Sequence, residues 1–230
     1  MRRFVLLVVV LAGLGGPAVA EPYWIAWEGE DWPENEGWTR DIRWGGDERA
    51  LADGVMTLDG IETQQGYGWD GYEGILDGTV DPGPGETFIV QWRMRVSDVR
   101  QGNWDPAVYV FSDDSRALAL NFSESRLWSV FEGPAALVSF APGVFHAYEV
   151  RSVDMQSYQL LIDGETVRIG AFGQGVTPRR LGWGDCFSPA GSTSTWDYVR
   201  FGVVPEPASV FVLFTSVAVA RGVLRDWLVR

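Results

Sequence analysis

The stretch that decides the fold is Phe88-Ile89-Val90-Gln91-Trp92-Arg93-Met94-Arg95-Val96. Every second residue from Phe88 to Val96 is apolar, and polar side chains stand between them at Gln91, Arg93 and Arg95. A period of two is typical of a β-strand, because successive side chains of a strand point to opposite faces. The stretch therefore predicts a strand that buries one face in a hydrophobic core.

Similar short runs continue through the middle of the chain, and we find no convincing helical stripe there. The further predicted strands are 107–112, 116–122, 126–131, 145–153, 158–162 and 166–169. Asp163-Gly164 separates the last two and predicts a type I′ hairpin turn, which needs positive φ at both central residues. Asp53-Gly54 marks a similar turn. Short strands separated by such turns predict an all-β, antiparallel β-sandwich.

Length and charge limit the possible functions. The 230 residues suit one domain of this class together with targeting segments. All 18 basic residues are arginines, and with 31 acidic residues the formal net charge is −13. Such a surface repels phosphate backbones and anionic headgroups, which argues against nucleic-acid binding. The single cysteine, Cys186, cannot form a disulfide within the chain.

The N-terminus has the pattern of a secretory signal peptide. Two arginines after Met1 are followed by the apolar stretch Phe4–Leu14 and by the small residues Ala18 and Ala20 of a cleavage site. The apolar stretch is too short to span a bilayer. We therefore expect residues 1–20 to form a signal-peptide helix that is removed, so that Glu21 begins the mature protein.

The C-terminus carries a second unusual segment. Val204-Pro205-Glu206-Pro207 is followed by the uncharged stretch Val210–Ala220 and then by arginines. Two prolines in three residues end the preceding strand, and the apolar stretch predicts a short membrane helix. These parts resemble, in this order, the PEP-CTERM sorting signal of Gram-negative bacteria. The resemblance implies an exported protein of the cell envelope or exopolysaccharide matrix, processed at the inner membrane by an exosortase-type enzyme.

The body between the two ends, residues 21–203, resembles the concanavalin A-like lectin/glucanase superfamily in its laminin-G-like form. The pieces that carry the resemblance are Trp24–Gly29 with Gly37-Trp38, Asp53–Leu58, Phe145–Val150, Tyr158–Gly164, Gly184-Asp185 and Trp196–Phe201. The resemblance implies a jelly-roll sandwich of two antiparallel sheets. Together with the patterns at the two ends, this predicts three segments: a signal peptide at 1–20, the sandwich at 21–203 and the sorting segment at 204–230.

Catalysis is not indicated. Glucanases of this superfamily carry their acids as Glu-x-Asp-x-x-Glu, and that spacing is absent. The nearest acidic clusters are Asp70 with Glu73, Asp113-Asp114, and Glu124. His146, the only histidine, leaves a Ser-His-Asp or Cys-His hydrolase formally open. We predict a protein that is not an enzyme; a glycoside hydrolase or polysaccharide lyase with an atypical acid pair is the first alternative.

Binding is the remaining activity. Sugars stack their C–H faces on aromatic rings, and aromatic residues in loops suit binding. Four aromatic residues beside turn-forming neighbours are candidates: Trp69, Tyr72, Trp104 and Trp183. Asp185 and Asp197 bracket a Gly/Ser/Thr-rich loop and are candidate calcium ligands; no other cofactor is predicted. The sequence thus predicts a glycan-binding matrix protein, and a structural surface protein without a ligand is the second alternative.

Overall fold

A computed structural model shows the chain as an assembly of β-strands. It describes residues 25–44, 48–59, 64–70, 81–99, 107–112, 116–132, 138–174, 180–185 and 192–205. The strands of these residues are β1 Ile25–Trp27, β2 Thr39–Trp44, β3 Arg49–Ala52, β4 Val55–Asp59, β5 Gln64–Asp70, β6 Glu86–Val99, β7 Ala107–Ser112, β8 Arg116–Phe122, β9 Arg126–Ser129, β10 Val138–Ser139, β11 His146–Ser152, β12 Ser157–Ile162, β13 Glu165–Ala171, β14 Gly173–Gln174, β15 Arg180–Asp185 and β16 Ser192–Pro205. Two 3-10 helices accompany them, Pro33–Glu36 and Val130–Glu132.

The strands form two antiparallel sheets. Sheet A has the order β13-β12-β11-β6-β16-β4-β3, and β1 also pairs with β16. Sheet B has the order β10-β9-β8-β7-β15-β5-β2, and β14 also pairs with β8. Buried side chains of both sheets form one hydrophobic core, so the predicted all-β sandwich is confirmed.

Strand β6 occupies the position that its sequence predicts. Its apolar residues from Phe88 to Val96 are exposed by 3% or less at every second position, while Gln91, Arg93 and Arg95 are half-buried or exposed on the other face. β6 pairs with β16 on one side and with β11 on the other. The alternation therefore places β6 at the centre of sheet A, with one face in the core.

The predicted hairpin turns are confirmed. Asp163 and Gly164 have φ values of 51° and 83°, and Asp53 and Gly54 have 54° and 76°. Positive φ at both central residues is the requirement of a type I′ turn, whose twist matches that of the flanking strands. These turns join β12 to β13 and β3 to β4.

One strand ends earlier than its sequence pattern predicts. The run 126–131 was expected to be extended throughout, but β9 ends at Ser129 and Val130–Glu132 forms a 3-10 helix. β9 pairs with β8 only through Leu127, Trp128 and Ser129. Among the described residues the pairing with β8 stops at Ser129, and the backbone of Val130–Glu132 forms local 3-10 hydrogen bonds instead.

The predicted signal peptide, Cys186 and residues 206–230 of the predicted sorting segment lie outside the described residues. Val204 and Pro205, with which that segment begins, are the last two residues of β16 and pair with Thr87 and Glu86. β16 ends at Pro205, where the prolines predicted the last strand to end. None of the helices in the described part of the chain is long and apolar enough to cross a membrane.

Candidate functional site

Four glycines leave part of one sheet face without side chains. Gly66 and Gly68 alternate along β5, and Gly182 and Gly184 alternate along β15. Gly182 lies opposite Gly68, and Gly184 lies opposite Gly66. Residues directly opposite each other in antiparallel strands share a face, so the four glycines adjoin one another on the same side of sheet B.

The same face continues across β7 and β8. Gly184 lies opposite Ala107, and Ala107 lies opposite Asn121. In a second row of paired residues, Gly182 lies opposite Tyr109, and Tyr109 lies opposite Ala119. We call the set of Gly66, Gly68, Ala107, Ala119, Gly182 and Gly184 the small-residue face.

Larger residues stand at the two ends of one row of this face. Asn121 lies opposite Trp128 of β9, and Gly66 lies opposite Asp41 of β2. With neighbouring strands about 4.8 Å apart, the row from β2 to β9 extends for roughly 24 Å. The row thus crosses six strands, β2, β5, β15, β7, β8 and β9.

The small-residue face is the outer face of sheet B. Leu118, Leu120 and Phe122 alternate into the core, so Ala119 and Asn121 between them belong to the other side. That side is enclosed as well, because Ala119, Asn121 and Trp128 are exposed by 0%, 3% and 7%. Strand β8 is therefore buried on both of its faces.

Asn121 carries an unused hydrogen-bond donor into this enclosed face. Its Nδ2 atom is buried and makes no hydrogen bond within the chain. Buried amide groups are nearly always paired, and leaving one unpaired costs about 1 to 3 kcal/mol. Nδ2 can donate to the hydroxyl or ring oxygen of a ligand, and the neighbouring Trp128 adds an aromatic ring against which an apolar face can pack.

Trp183 does not form an exposed aromatic platform, and its predicted loop position is wrong. It lies in β15, is 1% exposed, and packs with its ring centroid 5.2 Å from that of Trp27 and 4.9 Å from that of Trp196. Gly182 and Gly184 suggested a turn because glycine is common in turns. In a strand, however, alternating glycines leave one face without side chains, and the residue between them points to the opposite face, which here is the core.

The other three aromatic candidates, Trp69, Tyr72 and Trp104, do not form a common site among the described residues. Trp69 lies in β5 opposite Leu181, so its predicted loop position is also wrong. Tyr72 and Trp104 lie outside the described residues. Sequence reasoning singled out neither Asn121 nor Trp128 as a binding residue. The signal for the site was the Gly-x-Gly alternation in two separate segments.

The calcium candidates are not seen as a pair. Asp197 sits at an irregularity of β16 between Trp196 and Tyr198, and its carboxylate accepts a hydrogen bond from the Arg93 guanidinium in an ion pair. Asp185 is the last residue of β15. Within the described ranges, no three His, Cys, Asp or Glu side chains come close enough to hold a metal ion.

His146 has a structural role in the described contacts. Its Nδ1 lies 2.6 Å from Asp163 Oδ2 and its Nε2 lies 3.2 Å from the carbonyl oxygen of Ala141. Burial opposes ionisation of Asp163, but hydrogen bonds from His146 and the Ala147 amide outweigh it and lower its pKa. Neither ring nitrogen contacts a hydroxyl or thiol, so these contacts do not assemble a hydrolase triad.

The acidic clusters considered for hydrolysis do not meet in the described residues either. Asp70 is the last residue of β5, and Glu124 is exposed after β8. Glu73 and Asp113-Asp114 lie outside the described residues.

Comparisons with known proteins identify the fold. No protein-family model matches the chain, and no curated protein matches it significantly. A solved structure of the conserved carbohydrate esterase from the Shiga toxin-encoding bacteriophage phi24B is similar, with a TM-score of 0.56 and 12% identity over 78% of this chain and 97% of that chain. A point mutant of the Emp46p carbohydrate recognition domain is similar with a TM-score of 0.50 and 12% identity, over 78% of this chain and 95% of that chain. The fold is therefore a concanavalin A-like β-sandwich.

Proposed function

We propose that this protein is an exported, non-catalytic β-sandwich that binds a neutral glycan on the small-residue face. The observation that carries the proposal is the buried, unpaired Nδ2 of Asn121, which lies on the enclosed small-residue face opposite Trp128. The two similar solved structures, a carbohydrate esterase and a carbohydrate recognition domain, support it by their described activities.

The chemistry of the face fits a sugar chain. Pyranose rings are flat enough to lie along the row of Gly66, Gly184 and Ala107, which has no side chain larger than a methyl group, and their hydroxyls accept hydrogen bonds from an amide. Their C–H faces can pack against the indole of Trp128. A ligand that pairs Nδ2 removes the cost of an unsatisfied buried donor, so this hydrogen bond contributes more than an exposed one.

The charge of the face favours a neutral ligand. No arginine stands in the row from Asp41 to Trp128 or in the row from Thr39 to Ala119, and Asp41 occupies one end. The exposed Arg126 lies at the margin of the face, two residues from Trp128 on β9. The chain as a whole carries a net charge of −13. An anionic glycan lying along these rows would therefore find no arginine within them, and the acidic chain would repel it.

Replacing Asn121 by leucine separates binding from folding. Leucine has the same number and branching of side-chain heavy atoms and removes the unpaired donor. This gain offsets the crowding by its larger methyl groups, so we expect little change in the melting temperature. Binding of a neutral glycan should weaken at least tenfold, because the hydrogen bond and its geometry are lost. The measurement is titration of the purified protein with hits from an array of neutral and acidic oligosaccharides.

The matched control is Gln159→Leu, which removes an exposed amide from β12 of the other sheet. It should leave neutral-glycan binding unchanged. Full binding by the Asn121→Leu variant would remove the small-residue face from the proposal. Release of reducing ends from a bound glycan would instead show that the protein is an enzyme.

We also propose that the C-terminal segment delivers the protein to the cell envelope or matrix. The support is the resemblance of Val204-Pro205-Glu206-Pro207, the apolar stretch and the terminal arginines to a sorting signal. Replacing Pro205, Glu206 and Pro207 by alanine in an exosortase-bearing Gram-negative host should cause the unprocessed protein to accumulate at the inner membrane. The measurement is cell fractionation with mass determination, and unchanged processing and location would contradict the sorting proposal.

A further inference from the structure

The outer face of sheet A carries two arginines whose guanidinium groups lie near the same aromatic ring. The guanidinium carbons of Arg93 and Arg95 lie 4.7 Å and 5.0 Å from the ring centroid of Phe145. Arginine stacks on aromatic rings through its flat face. This stacking leaves the in-plane N–H groups of the guanidinium available to a ligand.

Arg95 differs from most of the described arginines in having no acidic partner. Five arginines form ion pairs with carboxylates: Arg49, Arg93, Arg116, Arg151 and Arg200. Among the described ion pairs, none involves Arg95, although the chain has 31 acidic residues. An exposed guanidinium, oriented by Phe145 and without a carboxylate of its own, is suited to bind a carboxylate from outside.

Two threonines follow Arg95 on the neighbouring strands β16 and β4. Arg95 lies opposite Thr195, and Thr195 lies opposite Thr57. The two threonine hydroxyl oxygens are 3.4 Å apart, so both side chains lie on the same face as Arg95. Thr195 is only 4% exposed. The outer face of sheet A thus presents an aromatic ring, a cation without an ion pair and, two strands from Arg95, the half-buried Thr57.

We propose that Phe145, Arg95 and Thr57 form a second glycan site, which recognises the carboxylate of an acidic sugar. The guanidinium of Arg95 donates two parallel hydrogen bonds to the carboxylate. The ring of Phe145 lies beside the sugar, and the Thr57 hydroxyl reaches its hydroxyl groups. This site is distinct from the small-residue face, which belongs to the other sheet and has no arginine in its rows.

The surroundings favour a sugar carboxylate over a larger polyanion. A nucleic acid or an anionic bilayer engages many cations over a wide area, whereas Arg93, Arg151 and Arg200 on this face are already paired with acids. The net charge of −13 repels such polyanions. A single carboxylate next to Arg95 lies within one Debye length of about 8 Å, so its attraction to the guanidinium is little screened by salt.

The test is calorimetric titration of the purified full chain with trigalacturonate and with its methyl ester, in buffer of low ionic strength. The wild-type protein should bind trigalacturonate, and the uncharged ester should bind at least tenfold more weakly. Arg95→Gln should lose at least tenfold in affinity for trigalacturonate, and Arg95→Lys should retain part of it because a point charge remains. The matched control is Arg126→Gln, an exposed arginine at the start of β9 in the other sheet, which should bind within twofold of wild type.

Three results would overturn this proposal: no binding of trigalacturonate by the wild type, equal binding of the methyl ester, or equal losses in the Arg95→Gln and Arg126→Gln variants. Arg95-dependent binding to anionic phospholipid vesicles in place of trigalacturonate would also overturn it in favour of a membrane partner. The two sites are separable, because Arg95→Gln should not change neutral-glycan binding and Asn121→Leu should not change trigalacturonate binding. Failure of one proposal therefore leaves the other standing.

Discussion

Replacing Trp183 by alanine is expected to lower the free energy of unfolding by about 3 to 5 kcal/mol. The indole is 1% exposed and its ring packs against Trp27, Trp38 and Trp196. Removing it takes away its buried apolar area and leaves a cavity that three rigid rings cannot fill. For a chain of this length the melting temperature should fall by roughly 10 °C.

Thermal and urea denaturation of the full chain measure this effect. Trp183→Phe should cost less, because a ring still fills most of the space. Trp32→Ala is the control for a tryptophan that only packs partly against the core, and its loss should be smaller. A Trp183→Ala variant that is as stable as wild type but no longer binds glycan would contradict the core assignment and restore Trp183 as an exposed platform.

Gly29→Ala is the second large effect, with an expected loss of roughly 2 to 5 kcal/mol from backbone strain and overpacking together. Gly29 has a φ of 79°, and a Cβ atom there would lie 2.0 Å from the carbonyl oxygen of Gly54 and 3.1 Å from that of Asp197. Both contacts are to backbone atoms of neighbouring segments. Relief would require moving the β3–β4 turn or β16, which pairs with the central strand β6.

Gly54→Ala provides the matched control in the same contact. Gly54 has a φ of 76°, but nothing lies within 4 Å of a Cβ atom built there. Its cost should be limited to the left-handed conformation, about 1 to 2 kcal/mol. Equal losses of stability in the two variants, measured by urea denaturation, would show that the close approach of Gly29 to Gly54 is not tight.

The parts of the fold that sequence predicts well are those fixed by local patterns. β7 and β8 have the predicted bounds, and β6 buries the predicted face. In these segments side-chain alternation and burial agree, so short-range information is sufficient. The hairpin at Asp163-Gly164 is also local, because its backbone conformation depends mainly on those two residues.

The candidate site could not be predicted in this way, because it is produced by register between distant segments. Gly66, Gly184, Ala107 and Asn121 form one row only when β5, β15, β7 and β8 are adjacent. Glycine lowers strand propensity and suggests turns. For this reason β5 and β15 were not predicted as strands, and Trp183 was assigned to a loop. The ion pair of Arg93 with Asp197 likewise joins residues far apart in sequence.

The most direct test of the central claim is NMR mapping of amide chemical shifts during titration with a neutral oligosaccharide that binds on the array. We expect the largest changes at the side-chain amide of Asn121 and at the backbone amides of Ala119, Gly182 and Gly184. Changes confined to the outer face of sheet A, with the Asn121 side-chain signals unmoved at saturation, would contradict the account.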